Sequence, residues 1–229
     1  AEKYRMMYGL PLEKCHVIKN AITHFPDRQP YKEGDRLRLI FQPTPWRGLN
    51  VLLGAMDLLK DENIELDVYS SCSLYGSEFA KNNDETWKKL YEQARSLPNV
   101  NYLGNRPNEF ILNKLTNYHM FAYPCIWEET SCISAIECMS AGLYTITTNY
   151  GALFETCADF PVYINYDKDY KKLAYKFAYA IKHLMCQLHR DYAQDHLELQ
   201  QNYMKRFYSW DSRKTQWTNF LIGAKGAKK

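Results

Sequence analysis

The sequence predicts an α/β protein, a doubly wound parallel sheet with a C-terminal helical tail, and three observations predict it. Short β-rich runs alternate with segments of helical periodicity, at a spacing of roughly 20 to 30 residues that suits strand–helix–strand units with right-handed crossovers. The alternation stops near residue 168, beyond which only helical patterns remain. The composition, 46% hydrophobic and 15% aromatic over 229 residues, supplies enough apolar surface for a packed core.

Seven strands are expected: HVIKN (16–20), RLRLIF (36–41), IELDVYSS (64–71), NVNYLG (99–104), HMFAYP (119–124), LYTITT (143–148) and PVYIN (161–165). Each gathers β-branched or aromatic residues between turn formers. Apolar residues at helical spacing predict helices over 47–60, 84–96, 107–116, 131–141 and 152–158, then over 169–188, 190–206 and 211–222. Asp169 reads as the cap of the first tail helix. No repeat, low-complexity stretch or long Pro/Gly linker divides the chain. It reads as one domain, an α/β core over about 1–168 with a tail over 169–229, and the closing GAKGAKK reads as a frayed terminus.

Charge and cysteine usage exclude several classes. The balance of 29 basic and 26 acidic residues leaves +3, too little for a field that would argue for nucleic acid. Seven cysteines without paired short spacings fit reduced thiols packed as small hydrophobes, and the cytoplasm is the expected compartment. No apolar run approaches the roughly 20 residues of a membrane span. The Lys-rich pieces KDYKK and AKGAKK read as solvated faces, with contact to an anionic membrane surface as the weaker alternative. The histidines show no ligand spacing, with His183 and His189 read as structural or exposed. The tail tyrosines Tyr170, Tyr175, Tyr179, Tyr192 and Tyr203 are read as packing and surface residues.

In open parallel sheets ligands bind beyond the carboxyl ends of the strands, which directs attention to three loops. In QPTPWRGLNVLLGAM (42–56), Arg47 stands at a helix start, either to hold a phosphate or as a solvated side chain. In NYLGNRPNEF (101–110), Gly104, Asn105 and Arg106 form a strand-to-helix turn whose exposed peptide groups either read a flat ligand's edge or simply turn the chain. In WEETSCISAIECMSAG (127–142), Ser131 is the expected N-cap, and the following amides form an anion site. Glu137 lies almost two turns into that helix among apolar neighbours. Burying an ionised carboxylate without partners is costly, so it must bond within the fold or accept from a ligand, for which the two hydroxyls of a ribose are suited.

The ordered set P-x4-E-x7-E (Pro124, Glu129, Glu137), the turn Met139-Ser140-Ala141-Gly142, a β run and then GALFE (151–155) resemble the donor-binding half of family 4 retaining glycosyltransferases with the GT-B fold. RGLNVLLGAM, VNYLG, the opening YGLPLEKCHVIKNAI and the closing SWDSRKTQWTNFL are similar to that family in register, so the resemblance covers nearly the whole chain. It implies the second, Rossmann-like domain of a GT-B enzyme, with an N-terminal acceptor domain absent from this chain. Such a fragment is expected to bind donor and not to transfer sugar alone.

The resemblance also implies roles. Glu137 would hold the ribose of a nucleotide-diphosphate sugar, and Glu129 would contact the transferred sugar. The amides of Thr130, Ser131 and Cys132 would follow the sugar and diphosphate, and Arg47 would neutralise the departing diphosphate. Gly104, Asn105 and Arg106 would lie on the base side. Gln42 stands where the family usually carries a second basic residue, which weakens the phosphate site or shifts that task to Arg38 or Arg106. Gly151-Ala152 replaces the usual Gly pair, and Cys138 the common Ala. No metal or other cofactor is implied, since fixed positive charge and a helix N-terminus stabilise the leaving group. Asp167-Lys168-Asp169 is the one Asp-x-Asp candidate, and it reads as the tail's helix cap. The acceptor would be a carbohydrate, a lipid-linked sugar or a protein glycan. A GT-B nucleotide-sugar epimerase and a non-catalytic nucleotide-sugar-binding module remain as alternative readings.

Overall fold

The computed structural model describes residues 2–26 and 28–226. Its strands are β1 (Leu37–Phe41), β2 (Ile64–Val68), β3 (Val100–Tyr102), β4 (Met120–Tyr123), β5 (Tyr144–Thr148) and β6 (Val162–Ile164). They form a six-stranded sheet in the order β3-β2-β1-β4-β5-β6, with every neighbouring pair parallel. Around it lie α1 (Glu2–Tyr8), α2 (Leu49–Leu58), α3 (Ser77–Ser96), α4 (Asn108–Leu112), α5 (Ile133–Ser140), α6 (Leu153–Cys157), α7 (Tyr170–Met185), α8 (Asp191–Phe207) and α9 (Trp210–Gly226). This is the expected doubly wound α/β fold. Its strand order reverses between β1 and β4, the switch point at which such sheets open a crevice.

The two strands flanking that point are the most apolar. Leu37, Leu39, Ile40 and Phe41 of β1 and Met120 to Tyr123 of β4 are fully buried. Near-continuous apolar runs are what a parallel sheet covered on both faces demands.

The tail is packed onto the core and is part of its support. Helix α7 lies on α2, where Gly54 leaves room for Ala174. Helix α8 lies on α5, and the buried Gln200 Nε2 donates to the carbonyls of Met139 and Leu143, both at 3.0 Å. Asp169 caps α7 as expected, accepting from Lys171 N at 3.0 Å and Lys172 N at 3.1 Å. Tyr175, Tyr179 and Tyr192 are exposed on this tail.

Three expectations need correction, and one helix was not expected. Residues 16–20 form no strand; Val17 is exposed, and the segment is held beside α9 instead, with His16 against Phe220 and Arg213 Nε donating to Asn20 O at 3.0 Å. A short β-rich run without a neighbour to pair with stays irregular. Helix α3 begins at Ser77, well before the expected 84, because its first two turns bury only Ala80 and so carry no apolar period. Helix α1 escaped notice for the same reason, its Met6, Met7 and Tyr8 being exposed. Finally, α9 runs on to Gly226 into the segment expected to fray, while 227–229 lie outside the described residues. Among the described residues no helix is long and apolar enough to cross a membrane.

Candidate functional site

The loops after β1 and β4 meet at the switch point and hold each other in place. Gly48, at φ +114°, lies so close to the carbonyl of Pro124 that any Cβ would overlap it. Just before it, Pro45 opens a 3-10 turn ending at Arg47, where its fixed φ and missing N–H cost nothing. Ser70 Oγ donates to Pro43 O at 2.7 Å and pins the same loop to the end of β2. On the β4 side, Thr147 and Thr148 donate from their hydroxyls to the carbonyls of Tyr123 (2.9 Å) and Cys125 (2.7 Å).

These braces bring Arg47 and Glu129 together from different loops. Arg47 Nη1 donates to Glu129 Oε1, and Tyr123 OH donates to the same oxygen at 2.6 Å. The Glu129 side chain is 4% exposed and that of Arg47 24%. Burial works against the Arg47 charge, but the facing Glu129 carboxylate outweighs it and raises the pKa above the ordinary arginine value. The guanidinium is thus a fixed cation at the start of α2.

Helix α5 supplies the third part. Its cap is Cys132 and not the expected Ser131, whose Oγ accepts instead from Asn20 Nδ2 at 3.0 Å; Cys132 makes no side-chain cap bond. The first turn of α5 lines the same hollow as the β1 loop, and its amides have no intrahelical carbonyl to bond. Two turns along, Glu137 is 8% exposed, and its carboxylate has no hydrogen-bond or ion-pair partner among the described residues. Burial raises its pKa from 4.5 to about 7. The carboxylate lies three residues after Ser134 and so beside it on the helix surface.

Between the loops opens a cleft of about 230 Å³, lined by Gln42, Thr44 and Arg47 from one side, Ser131 to Ser134 from the other, and Tyr75. That volume is below the roughly 300 Å³ at which small-molecule pockets begin, and fits a diphosphate-sized group with the rest of a ligand lying outside. Larger hollows lie between residues 16–18 and α9 and along α7, away from this convergence of charged groups.

Of the residues singled out from the sequence, Gln42, Arg47, Ser131 and Cys132 share the cleft wall, Glu129 joins it through Arg47, and Glu137 lies beyond it on α5. Thr130 is exposed on the loop between them. Gly104, Asn105 and Arg106 follow β3, two strands from β1 on the same sheet edge; Arg106 Nη1 donates to Asn105 O at 3.1 Å. Arg38 sits near the start of β1, where its amide donates to His119 Nδ1, about 13 Å of strand from Gln42, and so cannot serve as the second cation. Gln42 itself is buried, with Nε2 turned to Ser134 O (3.4 Å) and Cys138 Sγ (3.6 Å). Asp167 of the Asp-x-Asp candidate pairs with Lys172 and Lys176, and Asp169 is the cap of α7.

Three participants left no mark in the sequence pattern. Tyr123 reads simply as part of an apolar strand. Thr44 lies in a Pro-broken loop without a motif. Tyr75, 56% exposed, stacks on Trp46 with Phe79 alongside and forms an aromatic wall; it precedes a helix whose start carried no periodicity.

Residues 31–194 match the family described as glycosyl transferases group 1. The chain belongs to that family. Solved structures repeat the fold at low identity. A glycosyltransferase from Rickettsia africae is 19% identical, with a TM-score of 0.61 over 100% of this chain and 52% of that one. Sucrose-phosphate synthase from Thermosynechococcus elongatus is 14% identical, with a TM-score of 0.73 over 99% of this chain and 57% of that one. HepE from Anabaena, solved in complex with UDP-glucose, is 14% identical, with a TM-score of 0.62 over 83% of this chain and 49% of that one. The group 1 chain described here therefore spans about half the length of these solved relatives, and its sheet is that of a GT-B glycosyltransferase domain. A sequence comparison with curated proteins gives no match.

Proposed function

We propose that this chain is the nucleotide-sugar-binding domain of a family 4-type retaining glycosyltransferase. One observation carries the reading: Glu137, 8% exposed, sits on α5 one turn beyond the cleft residue Ser134, and its carboxylate has no hydrogen-bond or ion-pair partner among the described residues. A group so placed is costly in the free protein and is satisfied by a ligand that donates two adjacent hydroxyls, as a ribose does. Family membership and the ligands of two structural neighbours, UDP-glucose in HepE and ADP with acarbose in Arabidopsis thaliana starch synthase IV, support it.

In this reading the diphosphate lies in the cleft against Arg47 and the first-turn amides of α5, with Thr130, Ser131 and Cys132 following it toward the sugar. Gly104, Asn105 and Arg106 lie on the base side, at the edge of the sheet. Arg47 must exchange Glu129 for the diphosphate, which frees Glu129 for the sugar's hydroxyls. Charge builds on the diphosphate as the glycosidic bond breaks, and the guanidinium and helix N-terminus are already oriented to receive it. The acceptor hydroxyl attacks from the face the leaving group departs, and a phosphate oxygen takes its proton. The configuration is then retained without a general base or a metal from this domain. The acceptor, a carbohydrate, lipid-linked sugar or protein glycan, would be presented by an N-terminal domain, so this chain alone binds donor without transferring sugar. The setting is cytoplasmic, with a membrane-surface contact through the Lys-rich tail as the weaker option.

A second reading, a nucleotide-sugar-binding module without catalysis, is favoured by Gln42, whose amide braces α5 instead of offering a charge to the cleft. Calorimetric titration with UDP, GDP, ADP and their sugar conjugates, without magnesium, tests the shared claim. One nucleotide should bind and Glu137→Ala should abolish it. Absence of binding across the panel rejects both readings. Transfer by the two-domain protein, lost on Glu129→Ala, decides between them.

A further inference from the structure

We propose that Thr44 is a phosphate ligand of this cleft and supplies the contact that Gln42, turned away, does not. The inference rests on the donor-binding reading above. Thr44 is 3% exposed and lines the cleft, yet its Oγ1 has no hydrogen-bond partner. Its local use is also left open. Thr44 caps the 3-10 turn Pro45–Arg47, where a threonine hydroxyl ordinarily bonds back to the turn, but here only its carbonyl is engaged, accepting from Arg47 N at 3.1 Å.

The neighbouring cation repeats the pattern. Arg47 spends Nη1 on Glu129, while its buried Nε has no partner. Two unpaired donors thus sit on one turn and share a cleft with the first turn of α5, whose amides no helical carbonyl uses. A group with several acceptor oxygens and negative charge, a diphosphate, can take all of them at once. Gln42 cannot contribute from where it stands, because its Nε2 is committed to Ser134 O and Cys138 Sγ. Neither Thr44 Oγ1 nor Arg47 Nε touches solvent; in this proposal the anion reaches them as Arg47 exchanges Glu129 for the diphosphate.

The hydroxyl as placed costs stability and returns nothing in the free chain. Valine has the same shape without the unpaired oxygen, so Thr44→Val should melt at the same temperature or higher. Its affinity for the diphosphate should nevertheless fall about tenfold or more, the size of a lost hydrogen bond to a charged group. A merely structural hydroxyl would not move the two readouts in opposite directions.

The experiment is calorimetric titration of the wild-type chain, Thr44→Val, Thr44→Ser and Glu137→Ala with UDP, GDP and ADP, alongside their melting curves. The expected result is weak binding by Thr44→Val at undiminished melting temperature, with binding restored in Thr44→Ser. Wild-type affinity in Thr44→Val, or equal weakness in Thr44→Ser, overturns the role of Thr44, while loss of binding in Glu137→Ala in the same series leaves the donor reading standing. Failure of the wild-type chain to bind any of the three overturns both.

Discussion

Gly151 holds the backbone of Glu129 in place from the far side of the cleft. At φ +64° it approaches so closely that a Cβ would stand 2.5 Å from Glu129 N and 2.8 Å from Glu129 O, and the next amide, Ala152 N, donates to Glu129 O at 2.8 Å. Gly151→Ala combines a left-handed backbone, itself worth roughly 1–2 kcal/mol against a non-glycine residue, with that overlap. Urea denaturation should show a loss of at least about 1 kcal/mol. Titration with the nucleotide sugar that binds wild type should show a larger loss of affinity than titration with its nucleoside diphosphate, because in the proposed reading Glu129 faces the sugar.

Glu137 makes the chain's stability and its binding depend on pH in opposite ways. Its folded pKa of about 7 exceeds the ordinary 4.5, so between those values the native state holds a proton that the unfolded state has released. Stability therefore falls as pH rises from about 4.5 to about 7, by at most about 3 kcal/mol at 1.36 kcal/mol per unit. Glu137→Gln should flatten that part of the profile and be the more stable form at pH 8. A ribose donating to the ionised carboxylate favours deprotonation, so donor affinity should rise about tenfold from pH 6 to pH 8, with proton release on binding. The sugar conjugate is the suitable ligand, because it lacks the terminal phosphate that titrates near neutrality.

The Arg47–Glu129 pair is asymmetric, and truncating its members should show it. Removing Arg47 leaves a carboxylate that is 4% exposed with Tyr123 OH as its one remaining donor among the described residues, whereas removing Glu129 leaves a guanidinium that is 24% exposed and can turn to water. Orphaning a buried charge costs about 3–5 kcal/mol, and partial exposure discounts it. Arg47→Ala should therefore lose more stability than Glu129→Ala, and Glu129→Gln should restore part of what Arg47→Ala loses. Chemical denaturation of the two single variants and the Arg47→Ala/Glu129→Gln pair checks both statements.

Where the chain buries one face of an element, the sequence pattern disclosed it. The apolar runs of β1 and β4 and the periodic α7 were readable because packing imposes a period on them. Residues 16–20 were misread because β-rich composition does not report whether a neighbouring strand exists, and α1 and the start of α3 were missed because exposed helices carry no period. The site divides along the same line. Glu129, Glu137 and Arg47 were legible as charges in apolar or loop settings, and the resemblance supplied their roles. Their partners were not legible, since the ion pair spans two loops 82 positions apart and Tyr123 is an ordinary strand residue until its hydroxyl is seen on Glu129. Thr44 and Tyr75 reveal themselves only by what surrounds them.

The same reasoning extends to the tail, which composition alone describes as an appendage. Gln200 on α8 is fully buried and donates to the carbonyls of Met139, in the last turn of α5, and of Leu143, in the turn that leads from α5 to β5. Each of these carbonyls has a second donor, Gly142 N on Met139 O at 3.1 Å and Thr145 Oγ1 on Leu143 O at 3.4 Å. Gln200→Leu removes this donor while each carbonyl keeps its other one, so the loss of stability should be about 1 kcal/mol, moderated because Gln200 Oε1 is itself unpaired and its removal is favourable. Helix α5 also carries Glu137, two residues before Met139, so loosening its end should lower donor affinity as well. Amide hydrogen exchange over 133–143, compared between wild type and Gln200→Leu, measures that coupling directly: faster exchange there, with α2 and β1 unchanged, is the expected outcome, and unchanged protection would show that the tail does not steady the helix that bears the carboxylate.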